Sequence, residues 1–174
     1  MNETEQLLKQ VATRARSGAD GPAKPLPAPL DAAEPARAAL ILGFELPPLL
    51  AGLHTRVADG GFGPEGGLMP LEDAVATYRA MRGSGWKWPG GVLPIAHWGC
   101  GTYVCVDCRS ETAQVLLFDP TLGEPDLAWF IDAPSLADWL RGWLDGSAWY
   151  CEDSAAGEEY DLDLAPWTDF RSRV

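Results

Sequence analysis

The chain has 174 residues, of which 47% are hydrophobic and 22% are charged. This length and composition are typical of one globular domain with a core of its own. No apolar run approaches the roughly 18 residues of a membrane-spanning helix, so we expect no transmembrane segment. The first residues are acidic and lack the basic and apolar regions of a secretory signal, so the expected compartment is the cytoplasm.

The net charge is −12, and nearly all of the excess lies in the second part of the chain. Residues 1–100 contain ten acidic and nine basic residues, whereas residues 101–174 contain fifteen acidic and four basic residues. Nucleic acids and anionic membranes both attract basic surfaces, so the charge argues against either as a partner. If the charge selects a partner, that partner is basic; alternatively, the charge only maintains solubility.

Four helices are predicted in the first half of the chain. Residues 1–16 carry an apolar stripe of Leu7, Leu8 and Val11. A Pro- and Gly-rich linker follows over residues 17–30, so this helix either docks on the domain or moves on the linker. Three further helices are predicted over residues 31–43, 46–60 and 70–83. The first of these begins at a capping box of Asp31 and Glu34, and each ends at glycine.

From Trp86 onward the pattern changes to short segments rich in β-branched and aromatic residues, separated by turn residues. Strands are predicted at residues 93–96, 102–106, 113–118 and 128–131. A last helix begins after Ser135, with Trp139 and Trp143 on its apolar face. Helices, then antiparallel strands, then a helix predict an α+β domain, with an antiparallel sheet of about four or more strands flanked by helices.

The cysteines raise the question of a metal site. Cys100, Cys105 and Cys108 have the spacing of plant-type two-iron ferredoxins, with Cys151 as a distant fourth ligand, and His97 could help complete a zinc site. The residues between the cysteines have strand composition, however, and a strand points Cys105 and Cys108 to opposite faces. We therefore expect core cysteines without a metal or other cofactor, and keep a Cys-ligated metal protein as a minor alternative.

Patterns of catalytic sites are scarce. The sequence contains no phosphate-binding G-x-x-x-x-G-K-[ST] loop and no serine in a nucleophile elbow. His54 is predicted at an edge or in solvent, and His97 in a packed, hydrogen-bonded position. A nucleophilic pair of Cys100 with His97 lacks a third group to orient it. We therefore expect no catalytic residue, and a protein that is not an enzyme.

Tryptophan is unusually frequent, with eight residues in the chain. Trp86 and Trp88 lie in a Gly-rich loop, for which two interpretations are open. Loop aromatics are typical anchors at protein interfaces. Tryptophan is also highly buried on average, so the same pair fits a lid that closes the edge of the core.

Several short motifs follow one another in a characteristic order. Residues 42–50 (LGFELPPLL) form a Leu-Gly-x-x-Leu-Pro helix pair, and residues 57–63 (VADGGFG) follow the second helix. Residues 93–107 form a hairpin, residues 115–119 a strand, and residues 135–144 a Ser-Leu…Trp-Leu helix. This order resembles the SUKH superfamily, which includes a yeast cell-wall-assembly regulator; Asp59 stands where the family usually has Asn.

The resemblance implies three segments: an N-terminal helix and Pro-rich linker over residues 1–30, a SUKH-like α+β domain over 31–145, and an acidic extension over 146–174. It also implies a protein-binding domain without catalysis. Many bacterial members are immunity proteins that neutralise toxins, and others are regulatory scaffolds. The implied function is therefore neutralisation of a toxin effector, with a regulatory or scaffold interaction module as the alternative.

A toxin that degrades DNA or RNA must be basic to hold phosphate, so an acidic inhibitor gains association rate from long-range attraction. We therefore predict that the partner is a basic toxin domain. The predicted contact surface combines two loop tryptophans with six acidic residues of the extension: Trp86, Trp88, Glu152, Asp153, Glu158, Glu159, Asp161 and Asp163.

Overall fold

The structure, a computed structural model, describes residues 2–18, 25–64, 67–148 and 164–174. Within these segments, six helices surround one sheet: α1 (Glu3–Arg16), α2 (Glu34–Leu42), α3 (Pro48–Gly52), α4 (Leu71–Arg82), α5 (Leu136–Asp145) and α6 (Phe170–Arg173). The strands are β1 (Val92–His97), β2 (Tyr103–Asp107), β3 (Val115–Phe118) and β4 (Trp129–Ala133). The predicted α+β fold is confirmed. None of the described helices has the length and apolar composition that a membrane span requires.

The sheet is an antiparallel meander with the strand order β1-β2-β3-β4. Each strand starts and ends within two residues of its predicted position. Tyr103 lies opposite Phe118, and Phe118 lies opposite Trp129. Because residues that pair across strands point to the same face, these three aromatic rings form a row on one face of the sheet.

That aromatic face is covered by two segments distant in sequence. Trp88 lies on it, with its ring centroid 5.0 Å from that of Phe118 and 4.8 Å from that of Trp129. Trp167 and Phe170 pack on Trp129 at centroid distances of 5.7 and 6.2 Å. The loop between α4 and β1 and the residues around α6 therefore complete the core.

Part of each edge of the sheet is also paired with another segment of the chain. Along β1, the backbone N–H of Met69 donates to the carbonyl of Ile95 at 2.8 Å. Along β4, the N–H of Ile131 donates to the carbonyl of Ala165 at 2.8 Å. An open edge is a template for pairing with a strand of another chain, and these short contacts occupy part of each edge.

The first helix docks on the domain, which decides between the two alternatives left open by its sequence. Leu7, Leu8 and Val11 are buried in the same core as the sheet, and α1 packs against α3 and α5. Glu5 and Arg56 hold the helix by a two-pronged ion pair, with distances of 2.5 and 2.7 Å. The structure thus places α1 on the same core as the sheet and the residues around α6.

The predicted capping box at the start of α2 does not form. The Asp31 carboxylate accepts from the N–H of Ala33 at 2.9 Å, and the N–H of Glu34 donates to the Asp31 backbone carbonyl. Aspartate readily forms this local turn with its own backbone, so the helix begins only at Glu34, without a side-chain cap. In α5, by contrast, the hydroxyl of Ser135 accepts from the N–H of Asp138 at 3.0 Å.

His54 was predicted at an edge or in solvent, but it is buried, with 2% exposure. It lies four residues after Leu50, on the apolar face of α3 and the wider π-type turn Leu53–Val57 that continues it. Its polar ring is tolerated there because Nδ1 lies 2.9 Å from the Asp59 carboxylate. That carboxylate also accepts from the N–H of Leu71, the first residue of α4.

The His54–Asp59 contact thus joins three parts of the chain. The carbonyl of His54 accepts from the N–H of Leu30 at 2.8 Å, which anchors the linker, while Asp59 holds the start of α4. The turn after Asp59 requires glycine at position 60. Gly60 has φ +87°, and a Cβ on it would lie 2.7 Å from the Leu68 carbonyl oxygen.

A second buried contact fixes α6. The Arg173 guanidinium donates to both oxygens of the Asp107 carboxylate at 2.8 Å, and to the carbonyl of Gly90 at 2.9 Å. Asp107 is 3% exposed, and this contact raises the pKa of Arg173. The fork geometry of arginine satisfies both carboxylate oxygens, so the ion pair is fully hydrogen-bonded where it is buried.

Trp139 is 3% exposed on α5, as its sequence position predicts. We expect Trp139→Ala to lower the free energy of unfolding by about 3–5 kcal/mol, since a large buried aromatic is replaced by a cavity. Chemical denaturation measures this change. Leu40→Ala is the control, because Leu40 is 86% exposed, and its cost should stay within about 0.5 kcal/mol. A cost below about 1 kcal/mol for Trp139→Ala would contradict the packing of α5.

Burial lowers the pKa of His54 below its ordinary value of 6.5, although Asp59 opposes the shift. The folded state therefore resists protonation, and the unfolded state binds the proton more readily. Stability should be fully present above about pH 6.5 and fall as the pH drops below it. In denaturation from pH 7 to pH 5, His54→Gln should lose less stability than the natural protein. Leu136→Ala, a destabilised core variant, should keep the pH dependence of the natural protein. If the free energy of unfolding changes equally with pH in the natural protein and in both variants, His54 does not cause the pH dependence.

Replacing Arg173 with Ala leaves the buried Asp107 carboxylate without its ion-pair partner. We expect a loss of about 3 kcal/mol in the free energy of unfolding, as for a broken buried pair. The matched control is Arg171→Ala, because Arg171 and Asp126 form an exposed pair at 3.5 Å that should contribute less than about 1 kcal/mol. Equal costs for the two variants would show that the Asp107 contact does not stabilise α6.

Candidate protein-interaction surface

The predicted contact residues are distributed differently from the expectation. Trp88 is 1% exposed and donates from Nε1 to the Val92 carbonyl at 2.7 Å, so it closes the core and presents no surface to a partner. The six acidic residues lie outside the described residues: Glu152, Asp153, Glu158, Glu159, Asp161 and Asp163. Of the eight, only Trp86 is described at the surface.

Trp86 is half-buried at the end of the sheet where β1 ends and β2 begins. Its ring meets the ring of Phe118 edge-on, with the centroids 5.2 Å apart. Of the two interpretations of this loop, the lid therefore applies to Trp88, whereas Trp86 keeps part of its ring accessible. The two residues differ because Trp88 reaches Trp129 at the centre of the aromatic face.

The tip of the β1–β2 hairpin, residues 98–102, lies at the same end. It is closed by two backbone hydrogen bonds of 2.9 Å: the N–H of Trp98 donates to the carbonyl of Thr102, and the N–H of Thr102 donates to the carbonyl of Gly99. Cys100 is exposed at its apex. His97 was predicted to be packed and hydrogen-bonded, but it is exposed as the last residue of β1, with its ring centroid 5.1 Å from that of Tyr103.

The β3–β4 loop, residues 119–128, meets this hairpin tip. A Cβ on Gly101 would lie 3.3 Å from Cγ of Pro120, so the two loops are in contact. A backbone hydrogen bond of 2.8 Å from Asp119 to Ala128 closes the β3–β4 loop. Leu122 and Leu127 lie within it at 66% and 53% exposure. We define the loop-end surface as the accessible side chains of these two loops with their neighbours, namely Trp86, His97, Trp98, Cys100, Leu122 and Leu127.

Three carboxylates belong to the same loop as the leucines: Asp119, Glu124 and Asp126. Asp119 accepts from the N–H of Thr121 at 3.0 Å, and Asp126 pairs with Arg171 at 3.5 Å. Lys87 follows Trp86 and is exposed. The β3–β4 loop itself contains three acidic residues and no basic residue, so the carboxylates outnumber the neighbouring cations.

The expectation of core cysteines is confirmed for Cys105 and wrong for Cys100, which is exposed in the turn between β1 and β2. Cys105 is fully buried in β2, where burial raises the pKa of its thiol. Cys108 follows the end of β2, and burial raises its thiol pKa to about 12. Among the described residues, no group of three or more His, Cys, Asp or Glu side chains has an arrangement that could hold a metal ion. Cys151 lies outside those residues. Thiols with such pKa values are protonated and poorly nucleophilic near neutral pH.

An open groove of about 450 Å³ lies between α1 and the end of α5. Its lining residues are Lys9, Gln10, Thr13, Arg14, Ser17 and Leu144. The Arg14 guanidinium is held over the Trp143 ring, 5.2 Å from its centroid. None of the lining side chains is a carboxylate, imidazole or thiol, so the groove lacks the usual groups for acid–base chemistry near neutral pH.

Comparison with known proteins agrees with the motif order. The sequence model of the SMI1 / KNR4 family (SUKH-1) matches residues 29–142 of the 174. The match begins in the linker before α2, includes all four strands and ends within α5. A comparison with curated protein sequences found no match. The family is generally non-catalytic and indicates a domain for protein interaction or immunity. The resemblance to the SUKH superfamily is confirmed, and the chain belongs to the SMI1 / KNR4 family (SUKH-1).

Proposed function

We propose that this chain is a cytoplasmic, non-catalytic immunity protein that binds a toxin effector and neutralises it. The observation that carries the proposal is the family match over residues 29–142, which points to an interaction or immunity domain. The loop-end surface supports it, because exposed leucines and half-exposed tryptophans on short, closed loops are the side chains from which interfaces are built.

The charge supports a basic toxin, such as one that cleaves DNA or RNA. The net charge of −12 attracts a basic domain over long range, and an acidic inhibitor competes directly for a phosphate-binding surface. In this proposal, Trp86 and the six acidic residues between positions 152 and 163 contribute to the contact. Trp88 does not, since it stabilises the core.

A regulatory or scaffold module is the second candidate. It is favoured by a separate exposed apolar patch on α2, formed by Leu40 and Ile41 at 86% and 59% exposure. A scaffold requires at least two contact surfaces, and this patch would be the second. The two candidates differ in consequence, because only the immunity protein relieves the toxicity of its partner.

The test is co-expression of the protein with each toxin domain encoded beside it in its source genome, with colony counts after toxin induction. At about 1 μM inhibitor and a Kd of about 1 nM, free toxin falls about a thousandfold, so growth should be restored. The control is Trp139→Ala, whose destabilised core should weaken rescue. Binding to a partner without any rescue would favour the scaffold and refute neutralisation.

Binding kinetics with the rescued toxin then test the electrostatic component. Neutralising the six acidic residues as Gln and Asn should slow association at low salt and leave dissociation largely unchanged. Raising the salt should reduce the difference between the two proteins. An association rate indifferent to both neutralisation and salt would mean that these acids only maintain solubility.

A further inference from the structure

We propose that the loop-end surface is the site at which this protein holds its partner, and that the partner is a folded basic domain with an apolar depression for Leu122 and Leu127. The inference rests on the proposed function, since the same toxin is the expected occupant. It assigns the contact to residues that the structure describes at one end of the sheet. The six acidic residues between positions 152 and 163 then contribute to the association rate.

Leu122 and Leu127 are strongly exposed. Five large hydrophobic residues are strongly exposed in the described part of the chain: Leu40, Ile41, Leu122, Leu127 and Val174. Two of them share the ten-residue β3–β4 loop, which lies close to the hairpin tip at Gly101 and follows Phe118, the residue whose ring contacts Trp86. An apolar cluster with aromatic neighbours and a polar rim is typical of the centre of a protein interface.

Hydrogen bonds fix the backbones of both loops. Backbone hydrogen bonds close both of them, and the Asp119 side chain holds the turn at Thr121 by two bonds. Phe118, the last residue of β3, is buried beneath Trp86. Because the leucines are carried on ordered backbone, little conformational entropy is lost on binding, which favours affinity.

Each edge strand of the sheet is paired in part with another segment of the chain. Segments at Leu68 and Pro166 pair with β1 and β4, so a partner strand would first have to displace them. Recognition by strand addition needs an open edge. The sheet therefore offers a partner its loops, and these present side chains to be received in a pocket.

The β3–β4 loop is acidic. Asp119, Glu124 and Asp126 lie in the leucine-bearing β3–β4 loop, which contains no basic residue, and Arg171 contacts it through Asp126. Since Arg171 already pairs with Asp126, it only partly offsets the acidic character of the rim. A basic partner would meet opposite charge at this loop, and the net charge of the whole chain is also negative. A second copy of this chain would meet charge of the same sign as its own.

The patch on α2 is the competing surface and provides the matched control. Leu40 and Ile41 are 86% and 59% exposed, a range comparable to the 66% and 53% of the loop leucines. The charges beside them are balanced, because Glu34 pairs with Arg37. Nothing on α2 indicates the chemistry of an occupant, so this patch serves to measure what exposure alone contributes.

The first experiment places a photo-crosslinking amino acid at position 122 of the full chain, or at position 40 as control, in cells of the source organism. Irradiation should give a crosslinked species at position 122, with a basic domain identified in it by mass spectrometry, and none at position 40. Crosslinking of a second copy of the chain, of an acidic protein, or at position 40 alone would overturn the proposal.

The second experiment measures binding of the purified crosslinked domain. The Leu122→Ser/Leu127→Ser variant should bind at least about thirtyfold more weakly, as for the loss of an interface anchor, while Leu40→Ser/Ile41→Ser stays within about threefold. Glu124→Arg should slow association, and Glu45→Arg, an exposed position before α3, should have a smaller effect. Thermal unfolding confirms that all four variants are folded, since each changed side chain is exposed.

These outcomes separate the surface from the function. If the loop variant still restores growth in the presence of the toxin as well as the natural protein does, the surface is refuted and neutralisation stands. If the loop variant loses binding to a basic domain whose activity the natural protein does not inhibit, the surface stands and the immunity function is refuted. Equal binding by the loop and α2 variants overturns the proposal.

Discussion

The aromatic face of the sheet must be shielded from water, and the rest of the structure depends on how this is done. Trp88, Trp167 and Phe170 cover Phe118 and Trp129, although they come from segments separated by about half the chain. Each covering segment is also held by polar bonds. Trp88 donates to Val92 and accepts from Arg82, while Arg173 binds Asp107 and Gly90. Burial of the rings supplies the stability, and the polar bonds set the position of each segment.

This arrangement explains why Trp86, Leu122 and Leu127 are accessible at one end of the sheet. The helices and covering segments bury the faces, and short pairings occupy the edges. The strand ends remain, and there the connections carry Trp86, Leu122 and Leu127 on a rigid base. Loops supported in this way are common sites of recognition, because the scaffold fixes them while their side chains remain free to vary.

Local patterns were enough to predict most elements but not their tertiary surroundings. Short segments rich in β-branched and aromatic residues between turn residues located all four strands, and Ser135 with the Trp and Leu pattern located α5. His54 was misplaced because its partner Asp59 becomes visible only when the turn after α3 is folded. Trp86 and Trp88 share one sequence context, and only the position of Trp129 separates a surface ring from a core ring. Likewise, no local pattern distinguishes the exposed Leu122 from a core leucine.

The buried ion pair of Asp107 and Arg173 has a consequence for how the protein responds to its ionic surroundings. Mobile ions screen charges in solvent effectively and buried pairs much less. The carboxylates around Leu122 and Leu127 stand in solvent, whereas the pair that fastens α6 is withdrawn from it. Ionic strength therefore acts on the two sets separately. For the basic partner proposed above, a rise in salt would weaken binding through the exposed charges while the buried ion pair keeps α6 in place.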